Sequence, residues 1–493
     1  MIADHYPALQ IVIPLLCAPV CMLVRYRDWS WAVALFGSWA SLAISWELLL
    51  QVQGAGVISY EMGNWAPPFG IEYRIDPINA FVLLIVSAIG AVVIPYARES
   101  VKREFGVNRV YFFYTSYLLC LAGLLGVTIT GDAFNLFVFL EISSLSSYVL
   151  IALGRDRRAL VASYQYLVMG TIGATFIVIA IGLLYAETGT LNMADLAKIL
   201  AEQPTSRTIG AAFGFMVVGV SLKLALFPLH LWLPNAYSFA PSVVSAFLAA
   251  TATKVAVYVL LRFLFSIFNV ELSFGVMPLD TILLVLSVIA MFAASAVAIY
   301  QKNLKRMLAY SSVAQIGYMV LGISFANVSG LMACILHLFN HALMKGGMFL
   351  ALGCIFYRIA SVRLESMAGM GRRMPLTAAA FLIGGLGLIG VPLTVGFISK
   401  WYLVEGALAR GWWPVAILIL LSSLLAVVYV WRVVEVMYMR PVPEDAPEIE
   451  EAPPSMLIPT WILIGASVYF AIDTELTVGV AKEAATLLLG GAK

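Results

Sequence analysis

Apolar runs of about 20 residues, separated by short polar stretches, recur along the whole 493-residue chain. A run of that length crosses the hydrocarbon core of a bilayer as an α-helix. The pattern therefore predicts an all-α polytopic membrane protein with about fourteen transmembrane helices. The predicted spans lie at 6–24, 29–52, 76–97, 110–130, 132–153, 160–186, 207–234, 241–268, 278–300, 306–324, 330–357, 375–402, 412–438 and 456–473.

Polar stretches between the spans carry their own signals. Residues 53–75 contain glycines, a Pro-Pro pair and alternating side chains, which favours a surface hairpin or loop. Residues 441–455 are acidic and proline-rich, so we expect an exposed connection there. The N-terminal MIADHYPALQ lacks a basic region and a cleavage site, which indicates a first membrane helix and not a signal peptide.

The composition supports a membrane protein and argues against several other classes. The chain is 62% hydrophobic and 11% charged, whereas soluble domains carry about 25% charged residues. Its net charge of +2 does not indicate nucleic-acid binding, because the charges lie in short loops. The five cysteines fall in apolar runs without CxxC spacing, so neither a disulfide framework nor a metal site is predicted. No cofactor is predicted.

Lysine and arginine are distributed unequally between the two sides of the predicted membrane. Of 29 such residues, 18 lie in loops on one side and 7 on the other. The positive-inside rule places the arginine-rich side in the cytoplasm and both termini outside a bacterial plasma membrane. The remaining four, Lys223, Lys254, Lys345 and Lys400, lie within predicted spans.

Two of these lysines accompany prolines within apolar sequence. A charge at the bilayer centre costs about 2.5–3.5 kcal/mol on insertion scales, so such a residue is a functional candidate. Pro228 and Pro234 follow Lys223 and predict a broken helix at about 207–234, because a proline removes one helical hydrogen bond. Pro392 precedes Lys400 in a glycine-rich run and predicts a second break at about 375–402.

Glu141 is a candidate partner for a buried lysine. Ser144 and Tyr148 follow at i+3 and i+7, on the same helical face. Neighbouring hydroxyls would satisfy a carboxylate that has only a structural role. A Glu–Lys pair in low dielectric, in contrast, has two available proton states that titrate together, which suits a proton relay.

His337, His341 and Lys345 form a stripe at i, i+4 and i+8. HxxxH is a possible metal spacing, but no adjacent glutamate completes a hydrolase motif and three basic groups would repel a cation. Two buried histidines with backbone partners are a second interpretation. We favour a proton-conducting stripe, because neutral imidazole both donates and accepts hydrogen bonds.

Other polar positions leave two interpretations open. Lys400, beside a tryptophan, either snorkels to the membrane interface or points inward. Ser311, Gln315 and Tyr318 share one helical face. They make either ordinary interhelical hydrogen bonds or a wet path leading inward from Lys305.

The spacing of the breaks predicts an internal repeat. A three-helix segment at 1–109 precedes five spans at 110–268 and five more at 278–438, and residues 439–493 follow. The interrupted span is the fourth in each set. Because five is odd, successive sets enter from opposite sides, as in inverted-repeat transporters with sites at broken helices.

Four stretches carry a family resemblance: LKLALFPLHLWLPNAYSFAPS, KNLKRMLAYSSVAQIGYM, HLFNHALMKGG and VPLTVGFISK. Together they resemble the antiporter-like subunits of Mrp-type Na⁺/H⁺ antiporters, NADH–quinone oxidoreductases and membrane-bound hydrogenases. The resemblance implies an ion pair between Glu141 and Lys223. It also implies a hydrated polar axis continuing through Lys254, His337, His341, Lys345 and Lys400, with Lys305 nearby.

Within that family, Lys400 resembles both the Mrp D subunit and one quinone-oxidoreductase branch. The short tail after the last span differs from the largest respiratory subunit and the Mrp A subunit, and the NLKRMLAYSSVAQIGY stretch favours the Mrp D subunit. The implied function is a proton-translocating, non-enzymatic subunit of a multisubunit Na⁺/H⁺ antiporter. Its expected partners are other membrane subunits, the lipid bilayer, H⁺ and Na⁺, and the basic axis itself favours protons. The alternatives are a non-redox subunit of a quinone oxidoreductase or hydrogenase, a structural scaffold, and a self-sufficient transporter.

Overall fold

The computed structural model describes residues 3–105, 109–444 and 447–490. It confirms the predicted all-α membrane protein. In the described ranges, thirteen helical segments are long and apolar enough to cross a membrane. A fourteenth crossing consists of two halves, Pro375–Ile389 and Val395–Ala409, each shorter than a full span.

The N-terminal segment contains three long helices and a β-hairpin. The helices are α1 (Tyr6–Val24), α2 (Arg27–Ala55) and α3 (Pro77–Glu104), and the strands are β1 (Ile58–Glu61) and β2 (Glu72–Ile75). The strands pair antiparallel, as the alternating residues at 53–75 predict. Asp76 caps α3 by accepting the amide of Asn79 at 3.2 Å, which positions the hairpin at the start of that helix.

The first set of five spans contains eight helices, because two of its spans are interrupted and a short helix lies between the third and fourth spans. They are α4 (Val110–Ile129), α5 (Ala133–Ala152), α6 (Arg157–Thr188), α7 (Met193–Glu202), α8 (Arg207–Leu224), α9 (Trp232–Phe239), α10 (Ser242–Ala250) and α11 (Ala252–Leu261). A π-helical turn at Arg262–Ile267 extends the last of these. Helix α7 is a short helix at one membrane face and not a span.

The second set also has five spans with the fourth interrupted, but its fifth span is continuous. It comprises α12 (Leu279–Ile299), α13 (Leu304–Ser324), α14 (Val328–Ile359), α15 (Met370–Arg373), α16 (Pro375–Ile389), α17 (Val395–Ala409) and α18 (Trp413–Val434). Every residue of α14 from 330 to 355 is buried, because α13, α16, α17 and α10 all pack against it. The chain's basic stripe therefore lies on a helix that is enclosed along most of its length.

Two C-terminal helices complete the fold: α19 (Pro454–Ile472) and α20 (Glu475–Leu488). The sequence prediction missed α20, which packs on α14 and α3. The described residues of the acidic connection before α19 are mostly exposed, as expected. The exact segment boundaries at 109, 268 and 438 stay predictions.

Contacts place both ends of the described chain on the hairpin face. His5 Nδ1 lies 3.0 Å from the hydroxyl of Tyr60 in the hairpin. Gly490 lines the same cavity as Asp76. The arginine-rich loops lie at the opposite ends of the spans, so the structure separates an arginine-rich face from an arginine-poor face.

Candidate functional site

Glu141 and Lys223 meet between α5 and α8. The Nζ of Lys223 donates to Glu141 Oε1 at 3.3 Å and to the Ser144 hydroxyl at 2.8 Å. The lysine side chain is 5% exposed, whereas that of the glutamate is 26% exposed. The ammonium is thus enclosed, while the carboxylate extends toward the edge of the subunit. Among the described residues, the buried Tyr148 hydroxyl on the same face has no hydrogen-bond partner.

The first break lies where the sequence predicts it, but its mechanism differs. Helix α8 ends because Ala225 adopts the left-handed conformation with φ 60°. The amide of Leu226 then donates back to the carbonyl of Ser221 at 3.0 Å, which is a Schellman-type closure. Pro228 follows in the non-helical connection, and Pro234 occupies the first turn of α9. The expected proline clash inside a helix is therefore wrong, because first-turn amides have no helical partner to lose.

A further break, which the sequence analysis did not predict, separates α10 from α11 at Thr251. This residue has φ −124° and ψ −61°, and its hydroxyl donates to the carbonyl of Phe247 at 2.7 Å. Lys254 is completely enclosed and donates to the carbonyl of Ala249 and, at 3.4 Å, to the hydroxyl of Thr253. The two threonines in ATATK were the available signal, since threonine hydroxyls compete for backbone groups.

The two histidines of α14 lie in the core with nearly parallel rings, 5.8 Å apart. His337 contacts the Ser399 hydroxyl through Nδ1 and the Gln315 side-chain oxygen through Nε2, both at 2.8 Å. Neither ring nitrogen of His341 has a partner among the described residues. Neither imidazole bonds to the backbone, so the interpretation as core histidines with backbone partners is wrong.

Lys345 completes the stripe and is enclosed. Its ammonium donates to the carbonyl of Leu308 at 2.8 Å and to the hydroxyl of Ser311. Lys254 lies within electrostatic range of Lys345 and of both histidines. The basic groups of α11 and α14 therefore form one cluster. In the part of the chain that the structure describes, no three metal-ligating side chains come together.

Lys400 lies at the second break and points inward. Its ammonium donates to the carbonyls of Leu388 and Ile389 at 3.1 and 2.8 Å, and to the Ser423 hydroxyl at 2.9 Å. The ring of Tyr318 lies 4.8 Å away. The snorkelling interpretation is wrong, because the residue is 8% exposed and all these partners lie in the interior.

The polar face of α13, for which the sequence allowed two interpretations, contributes hydrogen bonds to this network. Ser311 and Gln315 bond to the α14 stripe, and the hydroxyl of Tyr318 lies 2.7 Å from that of Ser422. Ser399 and Ser423 also take part, and sequence reasoning missed both. The signal was weak, because serines in membrane helices often bond their own backbone.

Lys305 lies apart from this cluster, at the arginine-rich face. Its ammonium donates to the carbonyl of Ala240 at 3.0 Å, and its side chain lines a cavity of about 540 Å³. Arg103, Arg158 and Arg363 line the same cavity. The cavity connects the arginine-rich face of the protein to the base of α13.

Comparison with known proteins gives a consistent result. Residues 130–426 match the family described as NADH:quinone oxidoreductase/Mrp antiporter, transmembrane region. The chain is 42% identical over 478 residues to the N subunit of NADH-quinone oxidoreductase from Desulforudis audaxviator, covering 93% of this chain and 94% of that protein. It is 30% identical over 500 residues to the D subunit of the Na⁺/H⁺ antiporter from Bacillus subtilis, covering 99% and 98%.

A solved structure has the same fold. A chain in the Mrp complex from Dietzia sp. DQ12-45-1b superposes with a TM-score of 0.90 and covers 99% of this chain and 98% of its own length. The two sequences are 24% identical, so this likeness concerns the fold alone.

Proposed function

This chain belongs to the NADH:quinone oxidoreductase/Mrp antiporter family, and on that premise we propose a specific role. It is the proton-translocating membrane subunit of a multisubunit monovalent cation (Na⁺)/H⁺ antiporter, equivalent to the Mrp D subunit. The observation that carries the proposal is the 3.3 Å contact between the enclosed ammonium of Lys223 and the carboxylate of Glu141. No purely structural scaffold needs a charge pair in the middle of a bilayer, where such groups are costly.

The proposed path follows the enclosed basic groups. Protons pass from the pair through Lys254 to the stripe on α14 and on to the second break, with water between them. The members of the path are Glu141, Lys223, Lys254, His337, His341, Lys345 and Lys400. His341 supports the presence of water, because buried ring nitrogens without a protein partner are rare unless water bonds them.

Distance controls the proton affinity of the Glu141–Lys223 pair. At 4 Å and an effective dielectric of 20, two unit charges interact by about 4 kcal/mol, and this falls as they separate. A small movement of α5 relative to α8 would therefore release or capture a proton. The broken connection between α8 and α9 supplies the conformational freedom for such a movement.

Lys305 serves in this proposal as the entry from the cytoplasm. It lines the cavity of about 540 Å³ on the arginine-rich face, which the positive-inside rule assigns to the cytoplasm. The positive axis repels Na⁺, so protons use this subunit and sodium crosses elsewhere in the complex. The chain itself carries out no redox chemistry.

Glu141 also supports partnership with other membrane subunits. Its side chain is 26% exposed on a membrane helix, and a carboxylate facing lipid at that depth is unfavourable. A neighbouring subunit that covers this edge of α5 removes the carboxylate from lipid. We place the assembled complex in a bacterial plasma membrane with both termini of this chain outside.

A second candidate follows from the relative at 42% identity, which is the N subunit of an NADH-quinone oxidoreductase. In that case the same axis would serve as a proton-pumping, non-redox subunit of a respiratory complex. Purification of the native complex separates the two. Small membrane subunits and Na⁺-driven proton exchange support the antiporter, whereas hydrophilic redox subunits and quinone-coupled pumping support the respiratory complex.

Removal of either member of the charge pair tests the proposed function. Glu141→Ala and Lys223→Ala should each abolish Na⁺/H⁺ exchange by the reconstituted complex, while the complex still assembles. Lys198→Ala, at an exposed position on α7, is the matched control and should exchange at the wild-type rate. Wild-type exchange by both pair variants would exclude this assignment.

A further inference from the structure

The helix that carries Lys254 continues its polar face toward the arginine-poor side. Tyr258, Arg262 and Ser266 follow at successive steps of four residues, which places all four side chains on one helical face. The steps lead from the membrane centre to the end of the span. The sequence analysis did not include the last three residues in the proton path.

Hydrogen bonds connect the last three of these side chains, and Lys254 precedes them by one step on the same face. The Tyr258 hydroxyl donates to the carbonyl of Thr128 at 2.9 Å and accepts from Arg262 Nε at 3.2 Å. Arg262 then makes two parallel bonds, at 2.7 and 2.9 Å, to the carboxylate of Asp76. Its guanidinium also contacts the Ser266 hydroxyl at 3.4 Å. The column therefore ends in a bidentate ion pair, which is the strong geometry for Arg and a carboxylate.

The ion pair is enclosed but borders a cavity. The side chains of Arg262 and Asp76 are 13% and 5% exposed. Both line a cavity of about 390 Å³ together with Tyr258 and Arg74, and the Arg74 side chain is 45% exposed. The cavity thus extends from the hydroxyl of Tyr258 to the surface beside the hairpin.

Asp76 is ionised in this arrangement. Burial by itself would raise the pKa of its carboxyl, but the charge and hydrogen bonds of Arg262 outweigh that effect and lower the pKa below its usual range. Arginine stays protonated in proteins, so Arg262 holds the carboxylate without transferring protons itself.

We propose that Asp76, Arg262 and Tyr258 form a port through which protons pass between Lys254 and the solution on the arginine-poor face. This inference rests on the proposed function of the chain. At rest the Arg262–Asp76 pair closes the port. When the pair separates, the Asp76 carboxylate accepts a proton from the cavity and gives it to an adjacent water. The Tyr258 hydroxyl accepts that proton and releases its own toward the Lys254 amine.

The port has a counterpart at the other face. Lys305 lines the cavity on the arginine-rich side, and Asp76 lines the cavity on the arginine-poor side. The enclosed basic cluster lies between them. A relay that moves protons across the membrane needs one opening at each face, and these two cavities border the axis at opposite ends.

Tyr258→Phe tests the port with little change in packing. The hydroxyl is lost, and exchange should slow by about tenfold, since one hydrogen bond of the relay is removed. Tyr117→Phe is the matched control, because this enclosed tyrosine bonds the carbonyl of Gly90 at 2.7 Å away from the column. The control should exchange at the wild-type rate, and an equal rate in Tyr258→Phe would overturn the port.

A labelling experiment separates transport from a merely structural role of the ion pair. Ser266→Cys in the assembled complex should react with a charged, membrane-impermeant thiol reagent added at the arginine-poor face. A bulky label should then slow exchange severalfold, whereas S-methylation of the same variant should not. Complex lacking the introduced cysteine gives the background. Reaction only from the other face, or a bulky label without effect, would contradict the port.

Glu141→Ala distinguishes failure of the port from failure of the proposed function. If this variant is inactive while Tyr258→Phe and labelled Ser266→Cys exchange normally, the port alone is rejected. If Glu141→Ala exchanges normally, the proposed function and the port that rests on it are both rejected.

Discussion

In both broken helices, the first half ends with the same backbone conformation and hydrogen bond. At the first, Ala225 is left-handed and the Leu226 amide donates to the carbonyl five residues earlier at 3.0 Å. At the second, Gly390 is left-handed with φ 87° and the Val391 amide donates five residues back at 3.1 Å. The chain thus uses one backbone device twice, in opposite orientations across the membrane.

The lysines at these breaks are stabilised differently. Lys223 lies before its break and bonds the carboxylate of Glu141 at 3.3 Å. Lys400 lies after its break and bonds the carbonyls of Leu388 and Ile389, which the helix end leaves without amide partners. One ammonium has a titratable partner and the other has fixed dipoles. Therefore only the lysine at the first break, Lys223, can change its proton affinity by moving away from an opposite charge.

Methionine at each lysine gives the largest expected effect. Both Lys223→Met and Lys400→Met should lower exchange by about 100-fold or more, since each removes a proton-transferring group. Stability should differ, because Lys400→Met leaves two buried carbonyls unsatisfied at about 1–3 kcal/mol each. Lys223→Met leaves a partly exposed side chain, that of Glu141, without its partner, so its loss of stability should be smaller. Heating followed by size-exclusion chromatography measures the stability of each variant complex. Equal losses of stability in the two variants would contradict the proposed difference between the two breaks.

Substitution of the two left-handed residues should change the stability of the complex by smaller amounts and in opposite directions. Gly390→Ala should destabilise the complex by about 1–2 kcal/mol, because left-handed backbone is unfavourable for residues with a Cβ. That Cβ would also lie 2.9 Å from Lys400 Cδ. Ala225→Gly should be neutral or stabilising, because it relieves the same strain at the first break. Thermal melts of the two variants measure these changes. Melting temperatures that shift in the same direction in both variants would contradict the prediction.

Removal of the serine hydroxyls beside the two lysines should have the smallest effect on exchange. Ser144 and Ser423 each accept from an ammonium, at 2.8 and 2.9 Å. Alanine at either position should slow exchange by less than about tenfold, the effect of one hydrogen bond. Ser423→Ala should be the more severe, because that hydroxyl also contacts the hydroxyl of Tyr318 at 3.4 Å. Exchange rates normalised to the amount of complex test this order.

Much of the candidate site was accessible from the sequence because polar side chains are conspicuous in apolar spans. Lys223, Lys254, Lys345 and Lys400 stand out for that reason, and all four are enclosed in the structure. The short helix α20 does not stand out in this way, and two threonines are the one sequence signal of the break at Thr251. Neither has a proline or a long apolar run, so tertiary packing decides both.

The sequence by itself determined the membrane class, the number of crossings and the grouping of the arginine-rich loops on one common face. It did so because lipid requires long apolar helices with internally satisfied backbone. Only the tertiary structure decided which polar groups meet. Lys223 and Glu141 are 82 residues apart, and Arg262 and Asp76 are 186 apart. Such partnerships depend on how helices pack side by side, and no local pattern encodes that packing.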